Sequence, residues 1–400
     1  MGRRGRGIFR HVAPRAPTPS PARVRALRRR LLAWWDAGHR DLPWRFPQHA
    51  ADPYRVWLAE VMLQQTRVEA VVPYYRRFLA HWPTLEALAG ADDAAVLAAW
   101  SGLGYYARCR NLLAAAREAL ARHGGLPASL EGLRALPGFG PYTAGAVASI
   151  AFAIPAPAVD GNATRVLSRL FLVGGDPKSP AVKTHLESLA TALLDRDRPG
   201  DLNQALMDLG ASACRPRRPA CARCPVAWAC AARREGREEE LPARVPRRKP
   251  IPMVIGLLRV ERGGRLLLRR APPGGLFPGM WGLPGLVVPE GEDPAGFLRR
   301  RALPDLGVRV LVGREIASLT RLLTHRRLEL RIHVGSLRGD APEGPGGWGF
   351  TSEGEASRLP ASSAMRRAIE ASGGWTTASR RDRDTKMVSE DQQKALTSRG

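Results

Sequence analysis

Lysine is nearly missing from this chain. Five of its 62 basic residues are Lys, so arginine carries almost all of a formal net charge of +25 over 400 residues. A charge of that size points to a polyanionic partner, nucleic acid first, with an Arg-rich solvated surface as the plainer alternative. Acid is absent from the first thirty residues, which hold ten Arg. No apolar core of roughly 7–15 residues follows them, which argues against a secretory signal. Residues 1–23 are expected to be a disordered basic arm; a transit segment or a DNA-touching arm are the alternatives. Long apolar runs are also lacking. TAGAVASIAFAIPAPAV is rich in Ala and broken by Pro155 and Pro157, so it reads as a buried helix and not as a membrane span. Cysteine is scarce: there are five, four of them within seventeen residues. Without an export signal, that clustering favours a metal site over disulfides.

A chain of this length allows two or three domains. From Val24 to Cys230 the texture is helical. ALRRRLLAWWDAG and VLAAWSGLGYYARCRNLLAAAREALARHGG place apolar residues three and four apart, and little strand signal interrupts them. AARREGREEELPARVPRRKPIP is charged, Pro-bearing and aperiodic, as a linker is. Beyond it, MVIGLLRVERGGRLLLRRA reads as a hairpin around Gly263-Gly264 and RRLELRIHVGSL as a strand. DPAGFLRRRAL and SSAMRRAIEAS read as short helices. The expected fold is an all-α domain over 24–232, a linker over 233–250, an α+β domain over 251–372 and a disordered tail over 373–400.

Four features carry chemistry. VWLAEVMLQQT holds one acid, Glu60, in an otherwise apolar helical stretch, followed by Gln64 and Gln65. Such a carboxylate is a misplaced surface residue, a paired structural one, or a proton donor, because burying it alone costs several kcal/mol. LRALPGFGPYTAGAVAS reads as helix, tight turn, helix. Gly138 and Gly140 would let backbone N–H groups point outward to a phosphate, and an ordinary interhelical turn is the alternative. Asp160, in VDGNATRVLSRLFLV, is placed to cap the next helix, whose N-terminus would keep it ionised. Finally, Cys214, Cys221, Cys224 and Cys230 give C-x6-C-x2-C-x5-C within 214–230. Four soft thiolates suit zinc or an iron–sulfur cube. A zinc ribbon shows two separated C-x2-C pairs and here there is one, which favours a [4Fe–4S] cluster. Arg215, Arg217, Arg218 and Arg223 would turn such a loop into a phosphate-facing surface. Cys109 reads as a small core residue.

The hairpin, the VDGN segment and the cysteine spacing together resemble the endonuclease III superfamily of helix-hairpin-helix DNA glycosylases. LPWR, EVMLQQT, GLGYYARCRNL, VDGNATRVLSRL and NQALMDLGA narrow the resemblance to its adenine-specific, MutY-type family, over residues 24–230. The resemblance implies a [4Fe–4S] cofactor and a duplex DNA partner holding A:8-oxoguanine or A:G. It also implies an intracellular, bacterial-cytoplasmic monomer with no membrane association. Glu60 would be the acid that protonates adenine as its glycosidic bond breaks, and Asp160 would stabilise the cationic sugar. Tyr142 and Asn162 match supporting polar residues. Trp44, Arg45, Leu63, Val68 and Asp208 match the lining of an extruded-adenine pocket. Gln65 and Tyr105 match side chains that enter the duplex, and Leu136, Gly138, Gly140, Arg217 and Arg218 match DNA-contacting positions.

Tyr142 stands where bifunctional relatives carry a Schiff-base lysine, which implies hydrolysis without strand cleavage. The second domain resembles a MutT-like, Nudix-fold domain, but no R-E-x-x-E-E run is present to hold Mg²⁺. It is therefore expected to read the opposite base and not to hydrolyse pyrophosphate. Leu323, Thr324 and His325 fall where the family often has F-S-H. The rival readings are a glycosylase for another mismatched base, such as thymine opposite guanine, and a non-catalytic iron–sulfur DNA-binding protein.

Overall fold

The computed structural model describes residues 19–45, 52–243, 249–323, 325–340 and 347–375. Its described helices, in chain order, are α1 (Pro21–Gly38), α2 (Pro53–Leu63), α3 (Val68–His81), α4 (Leu85–Ala89), α5 (Asp93–Trp100), α6 (Tyr106–His123), α7 (Leu130–Ala135), α8 (Pro141–Phe152), α9 (Gly161–Leu170), α10 (Pro180–Leu193), α11 (Pro199–Ala211), α12 (Ala231–Arg234), α13 (Pro294–Arg301), α14 (Glu353–Ser357) and α15 (Ser363–Ala371). The strands are β1 (Ile251–Arg262), β2 (Arg265–Arg270), β3 (Trp281–Gly282), β4 (Gly285–Val288), β5 (Val310–Leu322), β6 (Arg326–Leu337) and β7 (Trp348–Thr351). The chain forms two compact units, Met1–Ala91 with Ala107–Pro246, and Asp92–Tyr106 with Arg247–Gly400. The fold class is the expected one, an all-helical region followed by an α+β region. Among the described residues no helix is long and apolar enough to cross a membrane.

Local chemistry sets the helix boundaries of the first unit. Asp52 caps α2 by accepting from the Tyr54 and Arg55 N–H groups, with Pro53 at the first helical position. Val24, Leu27 and Leu31 recur at one face of α1 and bury with α9, α10 and α11 in one core. Close helix contact requires glycine at 210: a Cβ there would lie 2.6 Å from Asn162 Cβ. This is how α9 and α11 bring two functional segments together.

Two expectations change. The helical reading across residues 96–125 is broken between α5 and α6, because Gly102, Gly104 and Tyr105 all take positive φ. The apolar stretch expected as one buried helix stops at Phe152. Ala153 turns left-handed there, and a run without regular secondary structure carries the chain to Asp160.

In the second unit the main sheet path runs β3-β2-β1-β6-β5, with β4 on β1 and β7 on β2. The Gly263-Gly264 hairpin forms as expected: both residues have positive φ, which only glycine adopts freely, and Arg262 pairs Arg265 across it. β1 lies parallel to β6, and β5 antiparallel to β6. Leu298 of α13 packs in one core cluster, and Ala364, Met365, Ala368 and Ile369 of α15 in another. Residues 92–106 belong to this unit. The Ser101 and Tyr106 hydroxyls both donate to Ala361 O, at 2.6 and 3.3 Å.

Candidate active site

The apolar helix α2 buries its one acid. Glu60 is 6% exposed and opens onto a cavity of about 430 Å³ in the first unit. The Tyr142 hydroxyl, from the first turn of α8, donates to Glu60 Oε2 at 2.5 Å. Burial raises the Glu60 carboxyl to about 7, with the nearby Asp160 carboxylate adding to the shift; the phenol and Arg45 oppose it. A carboxyl in that state holds a proton near neutrality and can give it up. Burial and the two acids push the Tyr142 phenol well above its usual value, so it stays a donor.

Asp160 caps α9 through a 2.7 Å bond from the Ala163 N–H, and the Asn162 side-chain amide donates to its other oxygen at 3.0 Å. Its place at the helix terminus is the one expected from the sequence. Burial is the largest effect and raises its pKa, while these hydrogen bonds and Arg165 pull it down by less.

Asp208, 3% exposed and on α11, lines the same cavity. It accepts from Arg45 Nη1 at 2.9 Å and from Arg40 Nε at 3.0 Å. Burial alone would raise it, but the two guanidiniums hold it below the ordinary range. Trp44, Leu63, Val68 and Gln65 line the same cavity, so every pocket residue expected from sequence converges here. Arg40, Gln204 and Met207 line it as well and were missed; their types carry no signal without the fold. Arg108 was missed too. Its guanidinium donates to the Val61, Met62 and Gln64 carbonyls and to Thr66 Oγ1, closing the end of α2. That closure holds Gln65 exposed in a left-handed conformation.

The other expected DNA contacts scatter. Tyr105 belongs to the second unit, where it is 44% exposed with φ +50°. In the hairpin turn, Gly138 has φ +77°, and a Cβ there would strike Asn111. Gly140 needs no such freedom at φ −73°. Leu136 is buried, and the Phe139 and Gly140 N–H groups turn inward to Leu136 O and Gly138 O. Any phosphate contact there falls to the remaining donors. Arg217 and Arg218 are exposed, and the Arg218 N–H is held by Glu239 at 2.9 Å. Cys109 is fully buried, as expected of a core residue. Leu323 and His325 lie between β5 and β6, where the Leu323 N–H donates to Arg326 O at 2.8 Å. Thr324 lies outside the described residues.

Among the described residues no group of three or more His, Cys, Asp or Glu side chains is arranged to hold a metal ion. The donor chemistry of the cysteine loop nonetheless fits a soft iron–sulfur group. Burial pushes the Cys224 thiol up to about 11, and Cys214, Cys230 and Cys221 each add to it, so the four thiols feel one another. Buried Arg169 donates to Cys214 Sγ at 3.3 Å and to the Arg215, Pro216 and Leu241 carbonyls. One turn away, Arg165 donates to Cys214 O and to Asn162 Oδ1, at 2.7 and 2.8 Å, and so joins the loop to the neighbour of Asp160.

Residues 58–191 match the HhH-GPD superfamily of base excision DNA repair proteins. The chain is 38% identical over 336 residues to the adenine DNA glycosylase of Homo sapiens, a match that spans 70% of this chain but only 60% of that protein. It is 37% identical over 227 residues to the adenine DNA glycosylase of Mycobacterium tuberculosis, spanning 56% of this chain and 73% of that one. Among solved structures, a thermostable thymine-DNA glycosylase aligns at 28% identity with a TM-score of 0.49, covering 54% of this chain and 98% of that chain.

Proposed function

This chain belongs to the adenine DNA glycosylase family, and on that footing we propose that it hydrolyses the glycosidic bond of adenine mispaired with 8-oxoguanine or guanine in duplex DNA. The observation that carries the reading is a protonatable carboxyl, Glu60, opening onto a cavity beside Asp160.

An adenine turned out of the stack would enter between Trp44, Leu63 and Val68. Glu60 donates its proton to a ring nitrogen, which makes the base a better leaving group. As the bond breaks, positive charge grows on the sugar and Asp160 offsets it. Water then completes the reaction and leaves an abasic site. Asn162 aligns Asp160, and Tyr142 aligns Glu60. A phenol cannot form a Schiff base, so the enzyme is monofunctional.

Cys214, Cys221, Cys224 and Cys230 would hold a [4Fe–4S] cluster, whose contribution is to order the loop and not to react. Gln65 and Tyr105 would occupy the space left in the duplex, and Arg217 and Arg218 would meet phosphates. Residues 24–91 with 107–232 form the excising domain. Residues 251–372 read the opposite base through residues 323–325. The protein acts as a monomer, where the genomic DNA is.

An excision panel on defined duplexes tests this reading. Adenine opposite 8-oxoguanine and opposite guanine should be released, with strands breaking only after added base. Release of thymine opposite guanine without adenine release, or binding with no excision at all, would each replace it with one of the rival readings.

A further inference from the structure

Between β5 and α15 the second unit has a cleft of about 700 Å³, lined by Leu319, Arg321, Ser363, Arg366, Arg367 and Glu370 among others. Three guanidiniums thus face one carboxylate. Arg321 Nε is buried and has no hydrogen-bond partner. The Arg321 side chain is otherwise only half-buried and lines the cleft, where a charged oxygen can meet its guanidinium. Arg366 is already anchored, donating to Leu359 O and to Ser101 Oγ at 3.4 Å each. Arg367 is exposed, one turn after Ser363, which opens α15. Guanidinium forks match phosphate oxygens bidentately, and the first turn of a nine-residue helix adds positive potential.

We propose that this cleft binds a backbone phosphate of the DNA strand carrying the opposite base, with Arg321 and Arg367 as its principal ligands. The strand follows from position: Arg321 lies two residues before Leu323, the first residue after β5. That choice of strand rests on the lesion-reader role of residues 251–372; the phosphate contact itself does not. DNA is favoured over a free anion because a chain with net charge +25 meets a polyanion before it meets a small phosphate.

The test uses the full chain carrying Glu60→Gln, so that binding is read without excision. Affinity is measured from low to moderate salt on A:8-oxoguanine and A:G duplexes. Arg321→Gln with Arg367→Gln should weaken both duplexes by the same factor and reduce the salt slope by about one. Arg321→Lys with Arg367→Lys keeps the charge and should keep most of the slope, which separates lost contact from lost folding. An unchanged slope in the Gln variant overturns the proposal, and so does equal loss of slope in the Lys variant. Inorganic phosphate is titrated onto the same proteins without DNA. Tight phosphate binding lost in the Gln variant, with the DNA slope intact, would make this a free-anion site and also overturn it. A parent protein that binds the two duplexes equally would defeat the lesion-reader role alone.

Discussion

The cavity sets one carboxyl against a phenol and another carboxylate against two arginines. Glu60 and Asp208 are both buried, on α2 and α11, and both line the same space. Glu60 meets Tyr142 and is raised to about 7. Asp208 meets Arg40 and Arg45 and is held below its usual value. Burial acts on both in the same direction, so the neighbours decide. Glu60 keeps a proton to give away, and Asp208 keeps a fixed charge that positions Arg45.

Removing the proton breaks the contrast most severely. Glu60→Gln keeps the shape and loses the acid, so single-turnover adenine release should fall by at least about a thousandfold while duplex affinity stays close to wild type. Release retained within about tenfold would take Glu60 out of the acid role. Asp160→Asn should come next, with a loss on the order of a hundred- to a thousandfold, because it removes charge facing the developing cation. An Asp160→Asn protein as active as wild type would leave the sugar cation without an assigned stabiliser.

Asp208 should matter less. Asp208→Asn leaves the Arg45 charge unneutralised, and Arg45 already lowers the Glu60 pKa. Glu60 must be protonated to act, so wild-type release should be present below about pH 7 and fall as pH rises through that value. In Asp208→Asn this limb should move to lower pH, with roughly a tenfold loss near neutrality. A limb that stays in place would mean the two carboxyls are not electrically connected.

The smallest expected effect sharpens the comparison at Glu60. The Tyr142 bond lowers the Glu60 pKa, so Tyr142→Phe should move the limb to higher pH while slowing release modestly. A pH–rate profile of single-turnover release reads the shift, and movement the other way would mean the phenol acts otherwise than through this bond.

Much of this was legible in order along the chain. Glu60 stood out because a single acid interrupts an apolar helical period, the four cysteines because of their spacing, and Gly263-Gly264 because two glycines between apolar runs make a hairpin. Each is local: the neighbours that give it meaning lie within a turn or two. What stayed illegible is long-range. Arg40 and Asp208 are joined across 168 positions, and Arg108 closes α2 from more than forty residues away. The strand β5 was missed because VLVGREIASLTRL does not alternate cleanly; two register shifts against β6 explain why. The break at residues 101–105 was missed because apolar spacing outweighed Gly102 and Gly104. Asp160 shows both kinds of influence. The N-cap that favours its charge is written in VDGN, whereas the burial that opposes it depends on how the helices around the cavity pack. Sequence by itself determined residue types, helix caps, turns and donor sets, since those depend on neighbours in the chain. Tertiary structure alone decided which carboxyl keeps its proton, because desolvation and charge act through space and the groups that set them come from distant helices.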